Sequence, residues 1–226
     1  WRRTTEKEAL LGIGMTGIAS NRVQKLDMEK AAKVAVDENK RVADLLGINP
    51  AARVTTVKPS GTTSLILGTS SGVHAWHNDY YIRRVRITST DPLARVMRDM
   101  GYPVYPEGTK DTAAFDEMSD YERLESLQNS YTWVIEFPVK TTAKIASFDE
   151  DALDQFNRYL TFQRHWTNHN TSITITFKPE EIDGLVDAIL EHWDEYVAIS
   201  FLPAFTDAYP LLPEEPISEK EYSSGC

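Results

Sequence analysis

Four stretches of the chain repeat apolar residues at the helical period, and runs rich in β-branched and aromatic residues lie between them. The first helix is predicted from about Met28 to Leu46. There Ala32, Ala35, Val36, Val42, Ala43 and Leu46 share one face, Asp27 stands as N-cap and Gly47 as the C-terminal stop. A short second helix is predicted from Pro92 to Met100, capped by Asp91, striped by Leu93, Val96, Met97 and Met100, and ended by Gly101. A third covers roughly Asp149 to Trp166 with Leu153, Phe156 and Leu160 inward. In a fourth, Pro179 to Trp193, the apolar residues Ile182, Leu185, Val186, Ile189, Leu190 and Trp193 recur at helical spacing.

Strands are predicted at residues 53–57, 132–139, 172–177 and 197–202. Residues 172–177 alternate with period two, whereas 197–202 are almost continuously apolar, as a strand covered on both faces would be. The C-terminal order of strand, helix, strand, helix, strand predicts an α/β fold with parallel neighbours. Residues 102–129 are less regular, with a short helix near Tyr121. From Pro203 the chain turns rich in Pro and Glu, and residues 210–226 are expected to form an extended tail.

Composition narrows the chemistry. The chain has 226 residues, enough for one domain or two small ones, and its single cysteine is Cys226. That excludes an internal disulfide framework, a Cys-based zinc site and an iron–sulfur cluster, and it leaves no interior thiol as nucleophile or radical carrier. Such cysteine usage fits a reducing, cytoplasmic setting. A net charge of −10 argues against nucleic acid or an anionic membrane as partner. Residues 53–99 nevertheless hold seven basic residues against three acids, an island that suits a small anion. No apolar run reaches the roughly 20 residues of a membrane span, and no apolar core follows the basic residues near Trp1 as in a signal peptide. With Trp1 in place of a Met, the chain is expected to begin mid-sequence.

The densest local signal is Val57-Lys-Pro-Ser-Gly-Thr-Thr-Ser-Leu-Ile-Leu67. Pro59 sets a turn, Gly61 permits close backbone approach, Ser60, Thr62, Thr63 and Ser64 supply hydroxyls, and a short helix is expected to follow. Free amides at a helix start with hydroxyls around them suit an anion, and the same residues also suit an ordinary capped turn. The Walker pattern is absent, which disfavours a nucleoside-triphosphate hydrolase of that kind. His74 and His77 stand three apart without a third ligand at suitable spacing, so no metal site is expected. The polar run Arg164 to Thr171 fits turn and capping chemistry between a helix and a strand.

Several separated motifs together resemble one family. Leu11-Gly-Ile-Gly-Met-Thr-Gly-Ile18, Val57 to Ala75, and Tyr80-Tyr-Ile-Arg-Arg-Val-Arg86 resemble the large catalytic polypeptide of ribonucleotide reductase. The likeness is above all to adenosylcobalamin-dependent ribonucleoside-triphosphate reductases. Asn170 to Phe177 and Ala198 to Pro203 resemble the family's last barrel strands, and the similarity runs from about residue 8 to about residue 222.

The resemblance implies the C-terminal half of a ten-stranded α/β barrel, spanning residues 1–209 and followed by the Pro/Glu-rich tail. It implies that Pro59, Ser60, Gly61, Thr62, Thr63 and Ser64 bind the substrate's phosphates. Implied too are adenosylcobalamin, a ribonucleoside triphosphate, the N-terminal half of the barrel in the same or a separate chain, and a thioredoxin-like reductant. Ser200 and Phe201 stand where reductases with a radical-generating subunit carry paired tyrosines, which favours the cobalamin-dependent class. The family's thiyl-radical and reducing cysteines lie N-terminal to the matched region, so no catalytic residue is expected here, and Cys226 resembles one of its C-terminal cysteines. The alternatives are a fragment of a radical-subunit-dependent diphosphate reductase and a non-catalytic nucleotide-binding module.

Overall fold

The computed structural model describes residues 1–20, 23, 25–141, 150–204 and 211–224. In chain order these form α1 (Arg2–Glu8), α2 (Met28–Leu46), α3 (Gly61–Ile66), β1 (Tyr80–Thr88), α4 (Pro92–Asp99), β2 (Val104–Pro106), α5 (Thr112–Asp116), α6 (Asp120–Gln128) and β3 (Thr132–Lys140). There follow α7 (Ala152–His165), β4 (Thr174–Phe177), a 3₁₀ turn at Pro179–Glu181, α8 (Ile182–Glu191), β5 (Ser200–Pro203), β6 (Glu214–Pro216) and α9 (Glu219–Ser224). The chain divides into two compact units, Trp1–Trp76 with Ala143–Phe205 and His77–Thr142 with Thr206–Cys226.

The first unit is a parallel array. β4 and β5 pair in parallel with Thr174 opposite Ser200. Isolated parallel bridges, Val57 to Thr171 and Ile13 to Thr55, extend the array. α2 joins the first extended segment to the second, α7 precedes the third, and α8 joins the third to the fourth. Parallel neighbours need such crossovers, and this is the α/β wiring expected. α2 keeps both predicted ends. The Asp27 side chain accepts the Lys30 amide at 3.0 Å, and Gly47 closes the helix at φ 66°. Ile18, Val57, Phe156, Tyr159, Leu160 and Ile175 form the centre of the core.

Burial departs from the predicted stripes. On α8 Leu185 is buried, Ile189 packs against the core, and Ile182, Val186 and Leu190 are exposed, as is Trp193 just beyond its end. The six-residue stripe is wider than the line along which that helix touches the core. β5 is exposed at all four residues, not covered on both faces, since the only strand it pairs with among the described residues is β4. Leu153 of α7 is likewise exposed, and Tyr159 and Phe162 take inward places beside Phe156 and Leu160. On α4 the buried residue is Ala94, with Met97 packed beside the core and Leu93, Val96 and Met100 exposed.

The second unit is an antiparallel sheet in the order β2-β3-β1-β6. β1 and β3 pair along their whole length, from Tyr80 opposite Lys140 to Thr88 opposite Thr132. Tyr105, Phe115, Leu127, Trp133 and Ile135 form its core. Residues 211–224 are not an extended tail. β6 pairs with β1, and α9 follows. The tail's acidic residues are what fix it, because Glu214 and Glu215 form ion pairs with Arg83 and Arg84 of β1. Cys226 lies outside the described residues. Among the described residues, no helix is long and apolar enough to cross a membrane.

Candidate functional site

The loop of residues 57–76 leaves the second extended segment of the first unit. Val57 donates its amide to the Asn170 carbonyl at 3.4 Å and accepts from the Ser172 amide at 2.9 Å, which anchors the start. Pro59 then turns the chain, with the Ser60 amide on the Lys58 carbonyl at 2.9 Å and the Gly61 amide on the Pro59 carbonyl at 2.8 Å. The first bond closing α3 runs from the Ser64 amide to the Ser60 carbonyl at 2.8 Å. Between them, the amides of Thr62 and Thr63 have no backbone acceptor among the described residues, and both residues are exposed. A serine N-cap ordinarily covers such amides with its own oxygen. Ser60 does not.

The Ser60 hydroxyl is engaged elsewhere. Its Oγ lies 2.9 Å from Ser64 Oγ, which lies 2.6 Å from Thr16 Oγ1. Thr16 also accepts the Gly72 amide at 2.8 Å and donates to the Ser70 carbonyl at 3.1 Å. Ser64 is fully buried, so its hydroxyl reaches a ligand only through Ser60. Two glycines bring these segments together. Gly72 holds φ 57°, and a Cβ there would stand 2.4 Å from the Lys58 carbonyl oxygen. At Gly17, with φ 73°, a Cβ would stand 2.3 Å from Thr69 Oγ1. The hydroxyls of Thr69 and Ser70 are buried without a hydrogen-bond partner among the described residues.

Of the predicted phosphate residues, the structure thus places Pro59, Ser60, Gly61, Thr62 and Thr63 around one open turn and Ser64 behind it. Four arginines of the basic island are engaged in ion pairs. Arg83, Arg84 and Arg86 belong to the second unit and pair with Glu214, with Glu136 and Glu215, and with Glu107, while Arg98 pairs with Asp99. Lys58 stands beside the turn, exposed, with no ion-pair partner among the described residues. Within the first unit, an anion at the loop would be met chiefly by amides and hydroxyls, with Lys58 beside them.

Sequence reasoning passed over the supports behind the loop. Thr16 lies inside the Leu11–Ile18 motif, where only the neighbouring Gly17 hints at close approach. Tyr159 and Asn170 tie the third segment to the fourth. The phenol donates to Asn170 Oδ1 at 3.2 Å and accepts the Val197 amide at 3.0 Å, and the Asn170 side-chain amide donates to the Ala198 carbonyl at 3.2 Å. Burial raises the Tyr159 phenol above its ordinary pKa, which keeps it neutral and able to donate. His74 has a structural post: Nδ1 faces the Ser71 carbonyl at 3.2 Å and Nε2 accepts the Thr174 amide at 2.9 Å. His77 falls in the second unit. Among the described residues, no cluster of His, Cys, Asp and Glu could hold a metal ion.

The loop, its glycine contacts and the parallel array define a class before any relative is named: an α/β scaffold presenting an amide- and hydroxyl-lined turn at the end of an extended segment. No model of a protein family matches the chain. Curated relatives do. It is 30% identical to the adenosylcobalamin-dependent ribonucleoside-triphosphate reductase of Levilactobacillus brevis, over 86% of this chain and 24% of that protein. It is 28% identical to the enzyme of the same name from Euglena gracilis, over all of this chain and 30% of that protein. The crystal structure of a B12-dependent, class II ribonucleotide reductase superposes with a TM-score of 0.74, at 23% identity, covering 99% of this chain and 34% of that one. The chain therefore has the fold of a part of a class II ribonucleotide reductase. In sequence it is a homologue of the adenosylcobalamin-dependent ribonucleoside-triphosphate reductases, as its motifs implied, and it spans about a quarter of the length of the curated relatives it matches.

Proposed function

We propose that this chain is the C-terminal portion of the catalytic barrel of an adenosylcobalamin-dependent ribonucleoside-triphosphate reductase, and that residues 59–64 hold the substrate's triphosphate. The observation that carries the reading is the turn at Ser60. The amides of the exposed residues Thr62 and Thr63 lack backbone acceptors among the described residues, where the N-cap side chain does not cover them. A phosphate oxygen there takes hydrogen bonds from the amides and from the Thr62, Thr63 and Ser60 hydroxyls, and Lys58 adds a cation at the rim. The parallel array then supplies the barrel wall behind the nucleotide.

In the complete enzyme the reaction replaces the ribose 2′ hydroxyl by hydrogen, with the cofactor supplying the initiating radical. One cavity of about 570 Å³ is lined by Leu26, Asp27, Met28, Glu29, Arg158, Thr161, Phe162 and His165. That volume suits a drug-sized molecule, not a corrin with its nucleotide loop and adenosyl group. That cavity by itself thus does not hold adenosylcobalamin, and no step of this chain's work is routed through the cofactor. The remaining parts of the reading are the N-terminal half of the barrel, a thioredoxin-like reductant and a cytoplasmic setting. That the homologues are adenosylcobalamin-dependent ribonucleoside-triphosphate reductases supports the cofactor and the triphosphate substrate.

Titrating the chain with a ribonucleoside triphosphate and with the matching unphosphorylated nucleoside tests the loop. Expected is saturable binding of the triphosphate, at least tenfold tighter than the nucleoside, and loss of that margin in Ser60→Ala/Thr62→Ala. Equal binding of nucleoside and nucleotide by the parent chain would sink the reading.

A further inference from the structure

We propose that the hydroxyls of Thr16, Ser64 and Ser60 form a relay whose hydrogens reverse when a phosphate oxygen reaches Ser60, which makes Thr16 a positioning residue for the triphosphate. The proposal rests on the phosphate-loop reading and extends it to a residue that never touches the ligand.

Counting donors and acceptors gives two arrangements. Each hydroxyl has one hydrogen to give and two lone pairs to receive. Thr16 Oγ1 always receives one hydrogen, from the Gly72 amide at 2.8 Å. In the first arrangement Thr16 donates to the Ser70 carbonyl at 3.1 Å, Ser64 donates to Thr16 at 2.6 Å, and Ser60 donates to Ser64 at 2.9 Å. All three hydrogens are then spent inside the protein, and Ser60 shows only lone pairs to the loop. A phosphate oxygen would be repelled.

In the second arrangement each hydroxyl rotates. Thr16 donates to Ser64, Ser64 donates to Ser60, and the Ser60 hydrogen points out to the anion. No proton leaves its oxygen. Two long contacts are given up, the Thr16 bond to the Ser70 carbonyl at 3.1 Å and the direct Ser60 bond to Thr16 Oγ1 at 3.4 Å, and the Ser70 carbonyl keeps the Gly17 amide at 3.1 Å. Gly72 amide, Thr16, Ser64, Ser60 and anion then stand head to tail, and each bond polarises the next. Ser64 cannot borrow water to break the chain, because it is fully buried. The direction of its hydrogen is therefore tied to that of its two neighbours.

The measurement is calorimetric titration of the full chain with inorganic tripolyphosphate. Thr16→Val should bind about two- to tenfold more weakly, the span expected for one net hydrogen bond. Thr16→Ser, which keeps the hydroxyl, should match the parent chain. Ser64→Ala should weaken binding by the same factor as Thr16→Val. Adding Thr16→Val to Ser64→Ala should cost little further, since the only link then left between Ser60 and Thr16 is their direct 3.4 Å contact. Unchanged affinity in Ser64→Ala or Thr16→Val, failure of Thr16→Ser to restore it, or losses that add in the double variant would overturn the relay while leaving the phosphate loop standing. No binding of tripolyphosphate to the parent chain would overturn both.

Discussion

At the scale of single residues, Gly72 does what no other residue could. Its left-handed backbone alone would cost an L-residue about 1–2 kcal/mol. The added methyl would also stand 2.4 Å from a backbone carbonyl that cannot step aside. Gly47 offers the comparison, since its φ of 66° is similar and nothing lies within 4 Å of a Cβ there. Gly72→Ala is expected to lower stability by about 2–4 kcal/mol and Gly47→Ala by about 1 kcal/mol, as urea midpoints would show. Equal losses would mean that the close approach contributes nothing. This scale also marks how far the sequence could be read. Pro59, Ser60 and Gly61 announce a turn within a few letters of one another. The bond between Thr16 and Gly72 joins residues 56 apart, and no local pattern carries that information.

Elements were legible where their ends carry chemistry and less so where burial decides. α2 is bounded by Asp27 and Gly47, both readable from residue type. β1 was harder, because Arg83, Arg84 and Arg86 interrupt its apolar pattern. Arg84 is nonetheless only 7% exposed, its charge met by Glu136 at 2.7 Å and by Glu215. The same logic hid β6, since Glu-Glu-Pro looks like tail until its partner arginines are known. One element is completed by a side chain. Gln155 of α7 is buried, and its amide accepts the Thr176 N–H and donates to the Thr176 carbonyl, both at 3.0 Å. It stands in for a neighbouring strand along that side of β4. Gln155→Leu should orphan both backbone groups and cost about 2–4 kcal/mol. Faster hydrogen exchange at the Thr176 amide would report it directly, and unchanged protection there would show that the clamp is dispensable.

At the scale of the whole chain, acid should weaken the second unit through one histidine. Burial lowers the pKa of His77 below its ordinary value of 6.5, with Glu214 pulling it up and Arg83 pushing it down. The folded second unit therefore binds a proton less readily than its unfolded chain. This contribution to stability is full above the unfolded value and fades as pH falls below it. His77→Gln should flatten the dependence of that unit's stability on pH between about 7 and 5. An unaltered slope would assign the dependence to other groups.

The pairing of β1 with β3 has a further consequence, for the order in which the chain folds. Segments 54–57 and 168–171 of the first unit meet across a sequence gap of about 114 residues, as between Thr56 and Asn170. Most of that gap is the excursion through 77–141, whose two ends lie side by side, with Tyr80 opposite Lys140 and the Thr141 amide on the Asp79 carbonyl at 2.9 Å. Once that ribbon has zipped, the loop still to be closed is about half as long, which lowers its closure entropy by roughly 0.6 kcal/mol. A long insertion is thus nearly free to a parallel array, provided it returns the chain to the point from which it left.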